Sequence, residues 1–202
     1  MKLKTVILPL LCLFFITAKS QEKRLYFSAY TTFDYSNITP EKTIDHRGKF
    51  SFGLGIQANY KFTERIEGIL GVGYIDKGHR EKSIDPGPTD DIEVFKSANR
   101  HTNLSIPIKI QYNFTLSKNK IYSALGIEND IFLAGSGGFY ERSFAQSFVI
   151  NFGWSTPISE KLKLGFEPTF RYPLTPYTND KFNSVEIYPY AIGLKVILSK
   201  SN

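Results

Sequence analysis

The chain has 202 residues, a formal net charge of +6 and a single cysteine, Cys12. These values exclude an intrachain disulfide and a cysteine-based metal centre, and they give no case for nucleic-acid binding. Aromatic residues make up 15% of the chain, a share that β-structure or a membrane interface favours.

The first twenty residues have the organisation of a secretory signal peptide. Two lysines precede an apolar run over residues 5–18, and Ala18-Lys19-Ser20 forms a small-x-small cleavage pattern. The apolar run is too short to span a bilayer as a helix, so we interpret it as a cleaved signal rather than an anchor. Its removal takes away Cys12 and three lysines, which lowers the formal charge from +6 to +3. No linker or internal repeat divides the rest, so the predicted organisation is a signal over 1–20 and one domain over 21–202.

Eight segments with period-two alternation follow the signal. The clearest is 50–62, where apolar side chains on one face alternate with Ser, Gly, Gln, Asn and Lys on the other. Each segment is long enough for a tilted membrane strand, which needs roughly 9–11 residues. In chain order the predicted strands are 24–35, 50–62, 66–77, 104–114, 120–133, 142–155, 162–173 and 185–199.

The predicted connections alternate between long and short. Long connections follow the odd strands (36–47, 78–98, 134–141 and 175–184), and short polar ones follow the second, fourth and sixth (63–65, 117–119 and 157–161). This alternation puts all long loops on one rim, and all short turns with both termini on the other. Outer-membrane barrels have this pattern, with the short turns in the periplasm.

The two faces of the strands favour a membrane barrel over a soluble one. One face is aliphatic at mid-strand and aromatic at both ends, as a bilayer with two interfaces selects. The other face carries small residues and charges, and an eight-stranded lumen has little room for water, so those charges must pair inside it. We therefore predict an all-β, eight-stranded antiparallel up-and-down transmembrane β-barrel. Its structural lumen charge network is predicted to comprise Glu67, Lys109, Glu128, Asp130, Lys163, Glu167, Arg171 and Lys195, with each carboxylate within reach of one of the four cations.

Three histidines, His46, His79 and His101, fall near the long-loop rim. One interpretation of them is a metal site or an Asp/His hydrolase site, because five carboxylates are close in sequence: Asp45, Asp76, Asp90, Asp91 and Glu93. Metal motifs place their histidines a few residues apart, whereas these are separated by 22 or more. No Gly-x-Ser-x-Gly motif is present either. We predict no catalytic, cofactor-binding or metal-binding residue, and we treat the acid-tipped loop 78–98 as a candidate partner surface.

One strand carries a family resemblance. The run NLSIPIKIQYNF (103–114) is similar to the characteristic Ile-Pro strand of the PorT-like outer-membrane β-barrel proteins, and FGLGIQANYKF (52–62) and YPYAIGLKVILSK (188–200) also resemble that family. The resemblance implies an eight-stranded outer-membrane barrel and brings no catalytic motif. The better-known member of the family takes part in protein secretion.

The leading functional hypothesis is a monomeric, non-enzymatic barrel in outer-membrane lipid that anchors external loops or serves envelope assembly or secretion. Its other partners would be envelope proteins that bind the long loops, and no cofactor is predicted. Two alternatives stay open at this point: a membrane-embedded hydrolase or acyl transferase at the extracellular rim, and a soluble periplasmic lipid-binding barrel. Activity that depends on the rim histidines would identify the first alternative, and solubility without detergent would identify the second.

Overall fold

A computed structural model describes residues 24–38, 45–86, 92–136, 143–176, 178–179 and 186–200. Side chains are described for 24–37, 48–77, 101–135, 143–176 and 188–200. The predicted signal peptide, 1–20, lies outside these ranges. Within them, no helix has the length and apolar character needed to cross a membrane.

Eight antiparallel strands close into a barrel, which confirms the predicted fold class. The order around the barrel is β1-β10-β7-β6-β5-β4-β3-β2, so neighbours in the chain are neighbours in the barrel and the first and last strands close it. A short pair, β8 with β9, forms a separate two-stranded sheet. The strands are β1 (Leu25–Ile38), β2 (Asp45–Lys61), β3 (Ile66–Pro86), β4 (Ile92–Asn113), β5 (Lys120–Ser136), β6 (Phe144–Pro157), β7 (Leu162–Pro173), β8 (Thr178–Asn179), β9 (Glu186–Ile187) and β10 (Pro189–Lys200).

The short turns end strands through local side-chain hydrogen bonds. In the turn after β2, the Thr63 hydroxyl accepts hydrogen bonds from the backbone amides of Arg65 and Ile66. In the turn after β6, the Ser159 hydroxyl accepts from the amides of Lys161 and Leu162 in the same way. Ser and Thr favour such turns because the hydroxyl replaces a backbone acceptor.

The predicted loop 78–98 requires a correction, because much of it is strand. β3 continues to Pro86 and β4 begins at Ile92, with Asp85 paired to Glu93 and Pro86 paired to Ile92. Alternation reports a contrast in sequence between the two faces of a strand, whereas strand pairing needs only backbone hydrogen bonds. A hairpin whose sequence lacks that contrast therefore gives no period-two signal. The acidic tip with Asp90 and Asp91 lies outside the described residues.

Apolar side chains face outward at mid-strand, as predicted. Leu54, Ile56, Ile108 and Leu125 are each more than half exposed on the barrel's outer surface. The predicted soluble alternative fails here, because a soluble barrel would turn this face inward. Aromatic pairs border the aliphatic zone; they include Tyr35–Phe50 and Phe33–Phe52 towards the long-loop end, and Tyr60–Phe62 and Tyr112–Phe114 towards the short-turn end.

Large side chains fill the lumen opposite glycine. Tyr122 on β5 lies over Gly153 on β6, where a Cβ atom would overlap the tyrosine ring. Tyr30 on β1 lies likewise over Gly55 and Gly73. These glycines are required by the close approach of a neighbouring ring, and together with the charged side chains they leave a packed interior.

Candidate functional site

One ionic cluster of the lumen is centred on Arg171 of β7. Its Nε donates to both Glu128 carboxylate oxygens at 3.0 and 3.1 Å, and its Nη1 donates to Asp34 Oδ1 at 2.6 Å. All three side chains are buried. The planar guanidinium therefore joins β7 to β5 on one side and to β1 on the other, a geometry that suits Arg better than Lys.

Lys77 extends this cluster towards the long-loop end. Its Nζ lies 2.9 Å from Glu128 Oε1 and 2.5 Å from Asp130 Oδ2. Glu128 thus receives hydrogen bonds from two cations, and the alternating charges offset the desolvation that each would suffer alone. Nearer the rim, Lys49 Nζ lies 3.1 Å from Asp76 Oδ2.

A second cluster surrounds Glu167, which is fully buried. Its Oε2 lies 3.5 Å from Lys109 Nζ and 3.8 Å from Lys195 Nζ. Lys195 also donates to Gln57 Oε1 at 2.6 Å, and its Nζ lies 4.0 Å from the centroid of the Tyr30 ring. One carboxylate is therefore shared by two cations, and uncharged groups complete their coordination.

A third cluster lies towards the short turns. Glu67 of β3 accepts hydrogen bonds from the Tyr26 hydroxyl at 2.5 Å, from Asn113 Nδ2 at 2.9 Å and from Lys120 Nζ at 3.2 Å. Glu67 and Asn113 are fully buried. The carboxylate consequently ties β3 to β1, β4 and β5 at one end of the barrel.

The predicted pairing within the network needs correction at three positions. Glu67 pairs with Lys120, and Asp130 pairs with Lys77, and neither cation was in the predicted set. Lys163 is only partly buried, lies near the short-turn end, and has no ion pair among the described residues. The other five predicted members are buried and form ion pairs with one another or with Lys77: Lys109, Glu128, Glu167, Arg171 and Lys195.

Three network members escaped the sequence-based prediction: Asp34, Lys77 and Lys120. Each lies at or beside an end of a predicted strand, where a charge is ordinarily assigned to the rim. Strand alternation was the usable signal, because Asp34 shares its face with Tyr30 and Thr32 and both of those side chains point inward. β1 and β3 extend further than predicted, so Asp34 and Lys77 are enclosed, and Lys120 reaches the buried Glu67 from the first residue of β5.

The three histidines come closer together than their sequence separation indicates. In the backbone register His46 pairs with Glu81, His79 with Gly48, and His101 with Lys77. They therefore lie on three adjacent strands, β2, β3 and β4. His101 is buried, and the side chains of His46 and His79 lie outside the described set. Where side chains are described, no group of three or more His, Cys, Asp or Glu residues could hold a metal ion.

Comparison with known proteins places this barrel in a family. The family profile of the outer membrane protein beta-barrel domain matches residues 6–194. No curated protein matches the chain. The crystal structure of the outer membrane protein OprG from Pseudomonas aeruginosa is similar in fold, with 14% identity, coverage of 86% of this chain and 95% of that one, and a TM-score of 0.53.

Neisserial surface protein A (NspA) is similar to the same degree, with 13% identity, coverage of 86% of this chain and 95% of that one, and a TM-score of 0.52. At such identities the two structures bear on the fold alone. The closed barrel and its outward apolar face agree with the family match, which spans most of the sequence. The chain therefore belongs to the outer membrane protein beta-barrel domain family and resides in the outer membrane.

Proposed function

We propose that this protein is a non-enzymatic outer-membrane anchor that holds an external hairpin for contact with other envelope proteins. The observation that supports the proposal is the length of β3 and β4, which have 21 and 22 residues against 12 in β7 and in β10. Nine or more extra residues per strand correspond to about 30 Å along the strand direction. A hairpin of that length extends well beyond the bilayer.

The ionic clusters of the lumen support a structural role for the barrel. Glu128 is bound by Arg171 and Lys77, and Glu167 lies between Lys109 and Lys195. A catalytic acid or base must reach a substrate, whereas Glu128 and Glu167 are buried beside the cations that balance their charge. A network linking opposite strands instead stiffens the wall from which the hairpin projects.

Within the family we propose that the chain is PorT-like, with a role in envelope assembly or secretion. The Ile-Pro strand supports this placement through a specific feature. Pro107 lies inward on β4 against Gly71, and paired residues of β3 and β4 are interrupted between Leu70–Ile108 and Gly73–Ser105. Proline has no backbone N–H to give to the ladder, so the interruption follows from the residue itself.

The proposal also includes cleavage of residues 1–20 and a monomeric mature barrel over 21–202. Mass spectrometry of the protein extracted from outer membranes would give both the new N-terminus and the absence of bound subunits. A mature mass that includes residues 1–20 would contradict the cleavage.

The hairpin can be shortened with most of the barrel pairing kept. The change removes the β3 partners of β2 residues 45–48, whereas the pairs from Gly53 with Ile75 to Lys61 with Glu67 remain. Gly78 pairs with Arg100, so residues 79–99 can be replaced by a two-residue Asn-Gly turn, which suits an antiparallel hairpin. In cells that lack the native gene, the shortened chain should reach the outer membrane in normal amounts. It should lose the crosslinks that the full chain makes to envelope proteins, and any secretion that depends on them.

The control for this experiment alters the opposite rim. Lys118→Gln lies in the short turn after β4 and should leave both crosslinks and secretion unchanged. If the shortened chain supports the same crosslinks and secretion as the full chain, the hairpin is not the partner surface and the proposal fails. Hydrolase activity towards membrane esters that is lost with His101→Ala would favour the enzymatic alternative instead.

A further inference from the structure

The short-turn end of the lumen contains a polar cavity. The cavity has a volume of about 50 Å³, and a wider recess of about 650 Å³ lies beside it at the short turns. Three lysines from three strands line both spaces: Lys61 at the end of β2, Lys120 at the start of β5 and Lys163 near the start of β7. We call these three residues the lysine mouth.

The lysine mouth differs from the rest of the lumen in its charge balance. Lys77, Lys109, Arg171 and Lys195 each have a carboxylate within 4 Å. In the lysine mouth only Lys120 does, through Glu67. Across the described side chains Lys61 and Lys163 form no ion pair, and the Lys61 ammonium lies 5.5 Å from the Tyr26 ring.

The carboxylate inside the cavity does not neutralise this excess. Glu167 contributes to the lining, but its Oε2 already lies near Lys109 and Lys195. In the wider recess the single carboxylate, Glu160, faces four lysines, because Lys118 joins the three of the mouth. Like charges gathered in a partly enclosed space repel one another more strongly than they do in bulk water.

Ordinary membrane-interface lysines do not explain the arrangement. Such lysines extend outward to water or to lipid headgroups. Lys61 and Lys163 instead continue the inward-facing alternation of their strands, after Asn59 and before Gly165 respectively, and both side chains are partly buried. Lys118 and Lys161, in the neighbouring turns, are exposed as interface lysines should be.

We propose that the lysine mouth binds a phosphate group presented from the periplasmic side. Lysine is a common phosphate ligand because its ammonium acts as a point charge with three donors. The cavity of about 50 Å³ has room for a few water-sized groups, which is enough for one phosphate. The remainder of a phosphate-bearing molecule would occupy the recess.

The chemistry favours phosphate over carboxylate. A phosphate monoester carries close to two negative charges at neutral pH, and it has three oxygens that can accept hydrogen bonds from separate directions. Lys61 and Lys163 together supply two uncompensated positive charges. The group can come from free phosphate or from a phospholipid headgroup of the periplasmic leaflet. The headgroup phosphate is a diester with one negative charge, and its two free oxygens can still accept hydrogen bonds from two lysines.

The direct test is calorimetric titration of inorganic phosphate into the refolded barrel in an uncharged maltoside detergent, at constant ionic strength set with sodium chloride. The wild-type barrel should show one saturable site. Lys61→Gln and Lys163→Gln should each weaken binding by about tenfold or more, which is the effect of losing one charged contact. Lys161→Gln is the matched control, because it removes a cation from the same rim outside both spaces, and it should bind as wild type does.

Mixed micelles distinguish the two sources of phosphate. If added phosphatidylglycerol competes with inorganic phosphate, and Lys163→Gln abolishes the competition, the headgroup is the ligand. If it does not compete, the site takes free phosphate or a soluble phosphate ester. A wild-type barrel without saturable binding at millimolar phosphate would overturn the proposal, and this measurement needs no variant to fold. Equal affinities for Lys163→Gln and Lys161→Gln would overturn it as well.

Discussion

Replacement of Glu167 by Gln should destabilise the barrel by leaving two buried cations without their shared carboxylate. Glu167 Oε2 lies 3.5 Å from Lys109 Nζ and 3.8 Å from Lys195 Nζ, and all three side chains are buried. Gln keeps nearly the same shape, so the change tests charge rather than packing. Breaking a buried ion pair by removing one partner typically costs roughly 3–5 kcal/mol.

The contacts that remain place the expected cost at the lower end of that range. Lys195 keeps its hydrogen bond to Gln57 and its position over the Tyr30 ring, and Lys109 keeps a hydrogen bond to Asn151 Oδ1 at 3.3 Å. We therefore expect a loss of about 3 kcal/mol in the free energy of unfolding. Adding Lys195→Met should recover about 1–2 kcal/mol, because one of the two unpaired cations is then gone.

The assay is equilibrium unfolding by urea in lipid vesicles, followed by tryptophan emission. Trp154 is the single tryptophan, lies partly exposed on the outer face, and stacks on Phe166 with ring centroids 6.2 Å apart, so its emission should report the loss of lipid contact. Glu160→Gln, in an exposed turn, is the control and should change stability by less than about 0.5 kcal/mol. A similarly small change for Glu167→Gln, or simple additivity of the two lumen substitutions, would refute the reasoning.

Three further outcomes are expected. Ile108→Arg should lower the free energy of unfolding in vesicles by roughly 2–4 kcal/mol, because its outward side chain meets lipid. Leu116→Arg, in a short turn, should lower it by at most about 1 kcal/mol. Equal losses at the two positions would contradict the assigned facing. Gly153→Val should lower the free energy of unfolding in urea by roughly 1–3 kcal/mol, because the new side chain overlaps the Tyr122 ring. Adding Tyr122→Ala should recover part of that loss, and no recovery would show that this overlap is not the cause. The unboiled protein should migrate differently from the boiled protein on a detergent gel, since a closed barrel has no free edge from which to unfold. Equal mobility of the two samples would count against a closed barrel.

Strand positions within the membrane were predictable from the sequence because the two faces of each strand meet different surroundings. Lipid selects residues such as Leu54 and Ile56, and the lumen selects Gly55 and Gln57 between them. The outer parts of β3 and β4 carry no such contrast, so alternation did not reveal them. Backbone pairing extends the sheet there, from Gly78 with Arg100 to Pro86 with Ile92.

Ion-pair partners were not predictable, because they depend on how the strands are placed around the barrel. Asp34 and Arg171 are 137 residues apart in the chain, yet Nη1 lies 2.6 Å from Oδ1. Only the closure of β1 against β10, which is itself paired with β7, brings them together. The sequence indicated that the lumen must balance its charges, but the choice of Lys77 for Asp130 and Lys120 for Glu67 required the register.

The contact between β1 and β10 has a consequence for how the barrel is made. The two strands pair from Ser28 with Ser199 to Ile38 with Pro189, so every rung of this seam joins residues more than 150 positions apart. Contacts of such sequence separation form slowly, because much chain entropy is lost before any pair is gained. The other seven seams join neighbours in the chain and can form as successive hairpins. The rate at which the seam closes should therefore limit assembly, and until it closes the inserting sheet exposes two unpaired edges to any catalyst or competitor that can bind them.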